Sequence, residues 1–141
     1  MSYDISLCDP VTKETLELPV KHMMIGGTHH AELVNGRLQA APTSEAWLNI
    51  TYNYGHYYYE ALEGDKDYNS LSEMGIRCLY DKSGAESIPI LDKMIENIKK
   101  KYPDLETDID YWKDTPGNAI KPLYQLKAMA SLRPDGIWQG D

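Results

Sequence analysis

Residues 1–41 alternate between apolar and polar positions, and residues 42–141 follow a longer period. In "YDISLCD", Tyr3, Ile5 and Leu7 fall on one face of a strand. "PVTKE" reads as a turn, and "TLELP" returns with Leu16 and Leu18 on one face. Residues 2–18 therefore predict a β-hairpin, ended by Pro19. "MMI" predicts a third strand broken at Gly26 and Gly27, and Asn35-Gly36 inside "AELVNGRLQA" predicts a tight turn. A small, largely antiparallel sheet is expected from residues 1–41.

Beyond residue 42 the pattern predicts helices. Thr43 or Ser44 serves as N-cap for a helix over 44–62, ending before Gly64. A shorter helix is expected around 69–80. Ser83 and Glu86 form a capping box for the next helix, whose Ile88, Leu91, Ile95 and Ile98 make one apolar stripe. Pro89 falls in its first turns, where proline is tolerated, and Pro103 closes it. A helical turn is expected over 107–113. Thr115-Pro116 opens a last helix that ends near Leu132, with a kink or later start at Pro122. The expected fold is α+β: one domain over 1–141, mainly β in 1–41 and mainly α in 42–141, with about four helices packed on the sheet.

On a helical wheel the predicted 44–62 helix has two faces. Trp47, Ile50, Tyr54, Tyr57, Tyr58 and Ala61 form the core face. Asn49, Asn53, His56 and Glu60 form a narrow polar stripe beside it. Asn is a poor helix former, so two of them one turn apart are not explained by propensity. The stripe is either structural, bonded to the neighbouring sheet, or the wall of a pocket that reads a polar ligand. The chain holds 11 Tyr and no Phe. Each ring thus brings a hydroxyl, which suits a wet or ligand-lined cleft.

Charge narrows the partners. A net charge of -8 argues against a nucleic-acid backbone, which is bound by clustered Lys and Arg. The run Lys99-Lys100-Lys101 sits at a predicted helix end, where it complements the helix dipole. No opening apolar run resembles a signal peptide and no segment is long enough to span a membrane, so a cytoplasmic location is expected. Cys8 and Cys78 read as free structural thiols.

Other constellations are sparse. His22, His29, His30 and Glu32 read as surface or capping groups more than as metal ligands. Gly26-Gly27-Thr28 offers a tight turn with backbone amides. Arg77 and the amides near Ser83 are available for a charged group. Neither a nucleophile elbow, a phosphate loop, paired zinc cysteines nor HExxH occurs. No catalytic residue, metal or cofactor is expected.

Four segments, "GGT", "EAWLNITYNYGHYYYEAL", "GIRCLYDKSGAESIPIL" and "GNAIKPLYQLKAMASLRPDGIWQGD", resemble an uncharacterised family of small proteins carried by bacteriophages and bacterial mobile elements. The resemblance implies a context in which a small protein sequesters a host signalling nucleotide or blocks a host defence protein. It implies no catalytic residues. The favoured expectation is non-enzymatic binding of a small polar, nucleotide-like ligand by Trp47, Asn49, Tyr52, Asn53, His56, Tyr57, Arg77 and Ser83. The alternative is a protein-interaction inhibitor that meets a host partner through its acidic surface. A small hydrolase with His56 as base ranks last, since no nucleophile can be named beside it.

Overall fold

The computed structural model describes residues 1–23 and 31–141. The expected strand at "MMI" and the Gly26-Gly27-Thr28 turn lie largely or wholly outside these residues. The fold is α+β, with small antiparallel sheets and four helical segments.

Strand β1 (Ser2–Cys8) is the centre of a three-stranded sheet, and its predicted alternation holds, with Tyr3, Ile5 and Leu7 buried. Its partners come from far along the chain. β2 (Glu17–His22), β3 (Ala31–Val34), β4 (Arg37–Ala40) and β5 (Thr43–Glu45) precede β6 (Trp47–Thr51), which pairs with β1 in the register Tyr3↔Ile50 and Ile5↔Leu48. On the other edge lies β7 (Ile137–Gly140), in the register Leu7↔Trp138.

The expected 2–18 hairpin is therefore not a ladder. Its turn forms, with Asp9 accepting from the Val11 and Thr12 amides, but the arms share only a short bridge at Cys8↔Thr15, with the Asp9 amide donating to the Glu14 carbonyl and the Leu16 amide to the Leu7 carbonyl (each 2.8 Å). Ala46 intervenes: its carbonyl accepts from Leu7 and its amide donates to Leu16, each at 2.9 Å. The returning segment moves away and pairs with β5. Pro19 does not end β2, because a strand of a two-stranded sheet has an unpaired side where the missing N–H costs nothing. The turn at Asn35-Gly36 forms as predicted, both residues left-handed, joining β3 to β4.

Three strands lie beyond residue 42, within a part of the chain that is otherwise mainly helical. The helix expected over 44–62 is instead β5, β6, a 3-10 turn Tyr52–Tyr54, and α1 (Gly55–Leu62). Trp-Leu-Asn-Ile-Thr is rich in strand-favouring residues, and pairing with β1 satisfies its backbone while burying Leu48 and Ile50.

The segment Asn69–Leu79 is 3-10 in character, interrupted at Gly75. α2 (Gly84–Lys101) carries the predicted capping box and buries Leu91, Ile95 and Ile98, joined by Ile90 and Met94, with Ile88 at the margin. α3 (Pro116–Leu132) starts at the Thr115 cap and runs through Pro122. It buries Leu123, Leu126 and Met129 against α2. Residues 107–113 form bends and turns in place of the expected helical turn. β7 had no counterpart in the periodicity. It places Trp138 fully inside, its indole donating to Ser87 Oγ at 2.8 Å.

Candidate functional site

Breaking the predicted helix into strand, turn and helix separates its polar stripe. Asn49 sits on β6 opposite Asp4, buried, with its amide donating to Ser2 Oγ (2.7 Å) and Asp4 Oδ1 (2.8 Å). Trp47 is on the same strand, opposite Ser6 and partly exposed. Asn53 lies on the 3-10 turn and His56 on α1, so the four do not form one face of a single helix as expected. The 100° spacing applies only to a continuous helix, and the helix here begins only at Gly55.

The side chains of 53–58 have another use. Asn53 Nδ2 donates to the Trp112 carbonyl at 2.8 Å. Tyr54 donates to the Tyr111 carbonyl, Tyr57 to the Asp114 carbonyl (3.1 Å) and Tyr58 to the Ala119 carbonyl (2.8 Å). His56 Nε2 lies 2.6 Å from Asp114 Oδ1. In return, Tyr111 reaches back: its hydroxyl donates to the Asn49 carbonyl (3.2 Å) and accepts from the Thr51 amide (3.3 Å). Buried Asn118 completes the arrangement, donating to the carbonyls of Asp110 and Lys113 and accepting from the Asp108 amide. A loop has no ladder to satisfy its carbonyls, so side chains must do it. The tyrosine-rich stretch thus clamps the loop 103–115.

The clamp also shifts the phenols. Burial, reinforced by neighbouring Asp114, pushes the Tyr57 hydroxyl up to about 12. Burial raises Tyr54 and Tyr58 in the same direction. Each keeps its proton and remains a donor.

The clamped loop leaves its apolar side chains outside. Ile109 is wholly exposed and Trp112 is 52 % exposed. Asp104, Glu106, Asp108, Asp110 and Asp114 flank them along the chain, with Lys113 the one basic residue of the loop. Beside Ile109, a recess of about 220 Å³ opens between loop and α3, lined by Tyr54, Asp108, Tyr111, Asn118 and Pro122 among others.

Three predicted residues do converge elsewhere. Tyr52, His56 and Arg77 line an open cleft with Tyr3, Gly55 and Tyr59. Tyr57 is buried and faces the loop. Ser83 is excluded from anion binding. Its own amide goes to Glu86 Oε1, and the amides of Gly84, Ala85 and Glu86 go to Gly136, Pro134 and Ser83 Oγ. The expected amide cradle near Ser83 is occupied by the cap itself. The larger groove of about 680 Å³ along α1 and α2 is lined by groups that pair with each other, Lys93 with Asp65 and Lys101 with Glu60.

Burial raises both thiols, Cys78 to about 11, which leaves them far from thiolate at neutral pH. His22 is buried, with Nε2 2.7 Å from the Glu45 carbonyl, while His29 and His30 lie outside the described residues. Among the described residues no group of His, Cys, Asp and Glu is arranged to hold a metal, and no helix is long and apolar enough to cross a membrane.

Tyr3, Tyr59, Ile109, Tyr111, Trp112 and Asp114 escape the sequence reading. The one local signal for the loop is the alternation of acidic and apolar residues in "DLETDIDYWKD". No protein-family model, curated protein or solved structure matches this chain.

Proposed function

We propose that the chain is a non-enzymatic binding protein that docks a basic surface of a partner protein through the loop 103–115. One observation carries this reading. Side chains from 53–58 hold the loop's backbone while Ile109 and Trp112 stand in solvent, flanked along the chain by acidic residues. Covering an apolar side chain of that size stabilises a complex by roughly 1.5–3 kcal/mol. Trp is among the residues that dominate interface energetics when ringed by less critical contacts. A loop already fixed by its own protein loses little entropy on docking. The carboxylates would steer a basic partner and raise the association rate at low salt. The recess beside Ile109 would receive a side chain of the partner, with Asp108 at its wall. In the bacteriophage setting implied by the resemblance, the partner is a host protein and docking blocks it.

The test is photo-crosslinking from position 113, exposed on the same loop, in the cells that carry the protein. A discrete adduct is expected, lost in the double variant Ile109→Asp/Trp112→Ala and weakened as salt rises from about 0.05 to 0.5 M, where screening is short-ranged. Val20→Asp, on β2 and half-exposed, should leave it intact. An adduct that survives the double variant would move the interface elsewhere.

A further inference from the structure

The cleft around Arg77 has a volume of about 320 Å³, at the lower end of ligand-binding pockets. Four elements build it: Tyr3 from β1, Tyr52 from the 3-10 turn, His56 and Tyr59 from α1, and Arg77 from the 3-10 segment. The guanidinium carbon lies 4.9 Å from the Tyr3 ring centroid and 5.6 Å from that of Tyr52. Nε donates to the Asp141 carboxylate at 3.0 and 3.3 Å, and Nη2 donates to the Tyr52 hydroxyl at 3.3 Å. Tyr80 donates to the same carboxylate at 3.0 Å and steadies it. Among the described residues no group accepts from Nη1, and the side chain is 35 % exposed. The guanidinium plane is therefore fixed, with one donor edge open.

Gly75 makes room for Tyr59, one of the residues lining the cleft. Its φ of +57° turns the chain there, and a Cβ would sit 3.1–3.3 Å from atoms of the Tyr59 ring. Without a side chain at 75, atoms of that ring pack close to the backbone, and Tyr59 as a whole is 39 % exposed.

We propose that this cleft binds a flat nitrogen heterocycle by its acceptor edge, and that a guanine base is the class it fits. A planar guanidinium presents paired donors to the N7 and O6 acceptors of guanine, a match that adenine and cytosine lack. The exposed Tyr59 ring supplies a surface for stacking, worth the most to a fused bicyclic base. Charge limits the group that the base can carry into the cleft. Asp141 offsets Arg77, and His56 stands between Asp114 at 2.6 Å and Glu60 at 3.8 Å. The cleft therefore has no excess positive charge for a polyphosphate, and the sugar-phosphate end points to solvent. This site does not rest on the docking reading, since Ile109 and Trp112 take no part in it.

The test is titration of isotope-labelled protein with guanosine monophosphate, followed by amide chemical shifts. Adenosine and cytidine monophosphates serve as comparators. Saturable shifts at Gly55, Tyr59 and Gly75 are expected with the guanine nucleotide, and weaker ones with the others. Arg77→Lys keeps the charge but loses the fork, and should weaken binding about tenfold or more. Tyr59→Leu should cost about tenfold through lost stacking. Tyr124→Ala, 44 % exposed on α3, should change nothing. Three results overturn the proposal: no saturable shift, equal affinity for all three nucleotides, or full affinity in both cleft variants. Should Arg77→Lys fail to fold, the Tyr59 variant decides alone.

Discussion

Helix α2 and the loop after it are adjacent in the chain and held by different physics. α2 is anchored by Ile90, Leu91, Met94, Ile95 and Ile98, all buried, and by a capping box that needs only its own residues. The loop contributes little apolar surface to the core, chiefly partly buried Leu105 and Tyr111. It is held by hydroxyls, amides and an imidazole reaching in from residues 53–58 and by Asn118. Hydrophobic burial is non-directional and tolerates local adjustment, whereas hydrogen bonds to carbonyls specify position. A region stabilised the second way can leave its apolar side chains free for a partner.

The largest effect should come from the helix. Leu91→Ala should lower the unfolding free energy by about 2–5 kcal/mol in equilibrium denaturation, the range for a fully buried leucine. It should do so without exposing the loop to protease in the native state. A matching rise in loop cleavage would mean that the two regions are one cooperative unit.

Next is Tyr54→Phe, which keeps the ring and removes its bond to the Tyr111 carbonyl. The expected loss is about 1–2 kcal/mol, the worth of a well-buried hydrogen bond. Here limited proteolysis between residues 103 and 115 should rise well before global unfolding. An unchanged cleavage rate would show that the loop does not depend on its clamp.

Alkaline pH should act on the same contacts. Tyr57 stays protonated up to about 12, while an unfolded tyrosine ionises near 10. The folded state then holds more protons above pH 10, so stability is full below that pH and falls as pH rises through about 12. Thermal unfolding followed by circular dichroism should show this decline, and Tyr57→Phe should lessen it, with Tyr54 and Tyr58 keeping the rest. A wild-type midpoint that stays level over that interval would contradict the assignment.

Asn53→Ala removes one exposed bond to the Trp112 carbonyl and should cost about 0.5–1.5 kcal/mol. Loop cleavage should rise only modestly. Lys100→Ala, which breaks an exposed pair with Glu96 on the outer face of α2, should stay within about 0.5 kcal/mol by denaturant titration. If it exceeds Asn53→Ala, solvent-exposed charge matters more to this fold than the clamp's rim.

The candidate sites were only partly legible. Tyr52, His56 and Arg77 were selected for their chemistry and do share a cleft, but Asn49 was assigned by a helical wheel to a face that the strand β6 removes. Tyr3 and Tyr59 complete that cleft through β1 pairing and the turn at Gly75, which no local pattern announces. Ile109 and Trp112 looked like part of a helical turn until Asn118 and the tyrosines took up the loop's carbonyls.

By itself the sequence determined what depends on neighbours along the chain. The alternation in β1, the Asn35-Gly36 turn, the Ser83–Glu86 capping box, the α2 stripe and the Thr115-Pro116 helix start all rest on contacts within a few residues. Tertiary structure alone decided which strands flank β1, because β6 and β7 lie about 45 and 130 residues away along the chain, a separation that local patterning does not encode. It also decided that Trp47–Thr51 is strand, and that the hydroxyls of Tyr54 and Tyr57 bind a loop, and that of Tyr58 the start of α3, some sixty residues on. Hydrogen-bonding capacity is written in each residue, but its partner is chosen only when the chain folds back on itself.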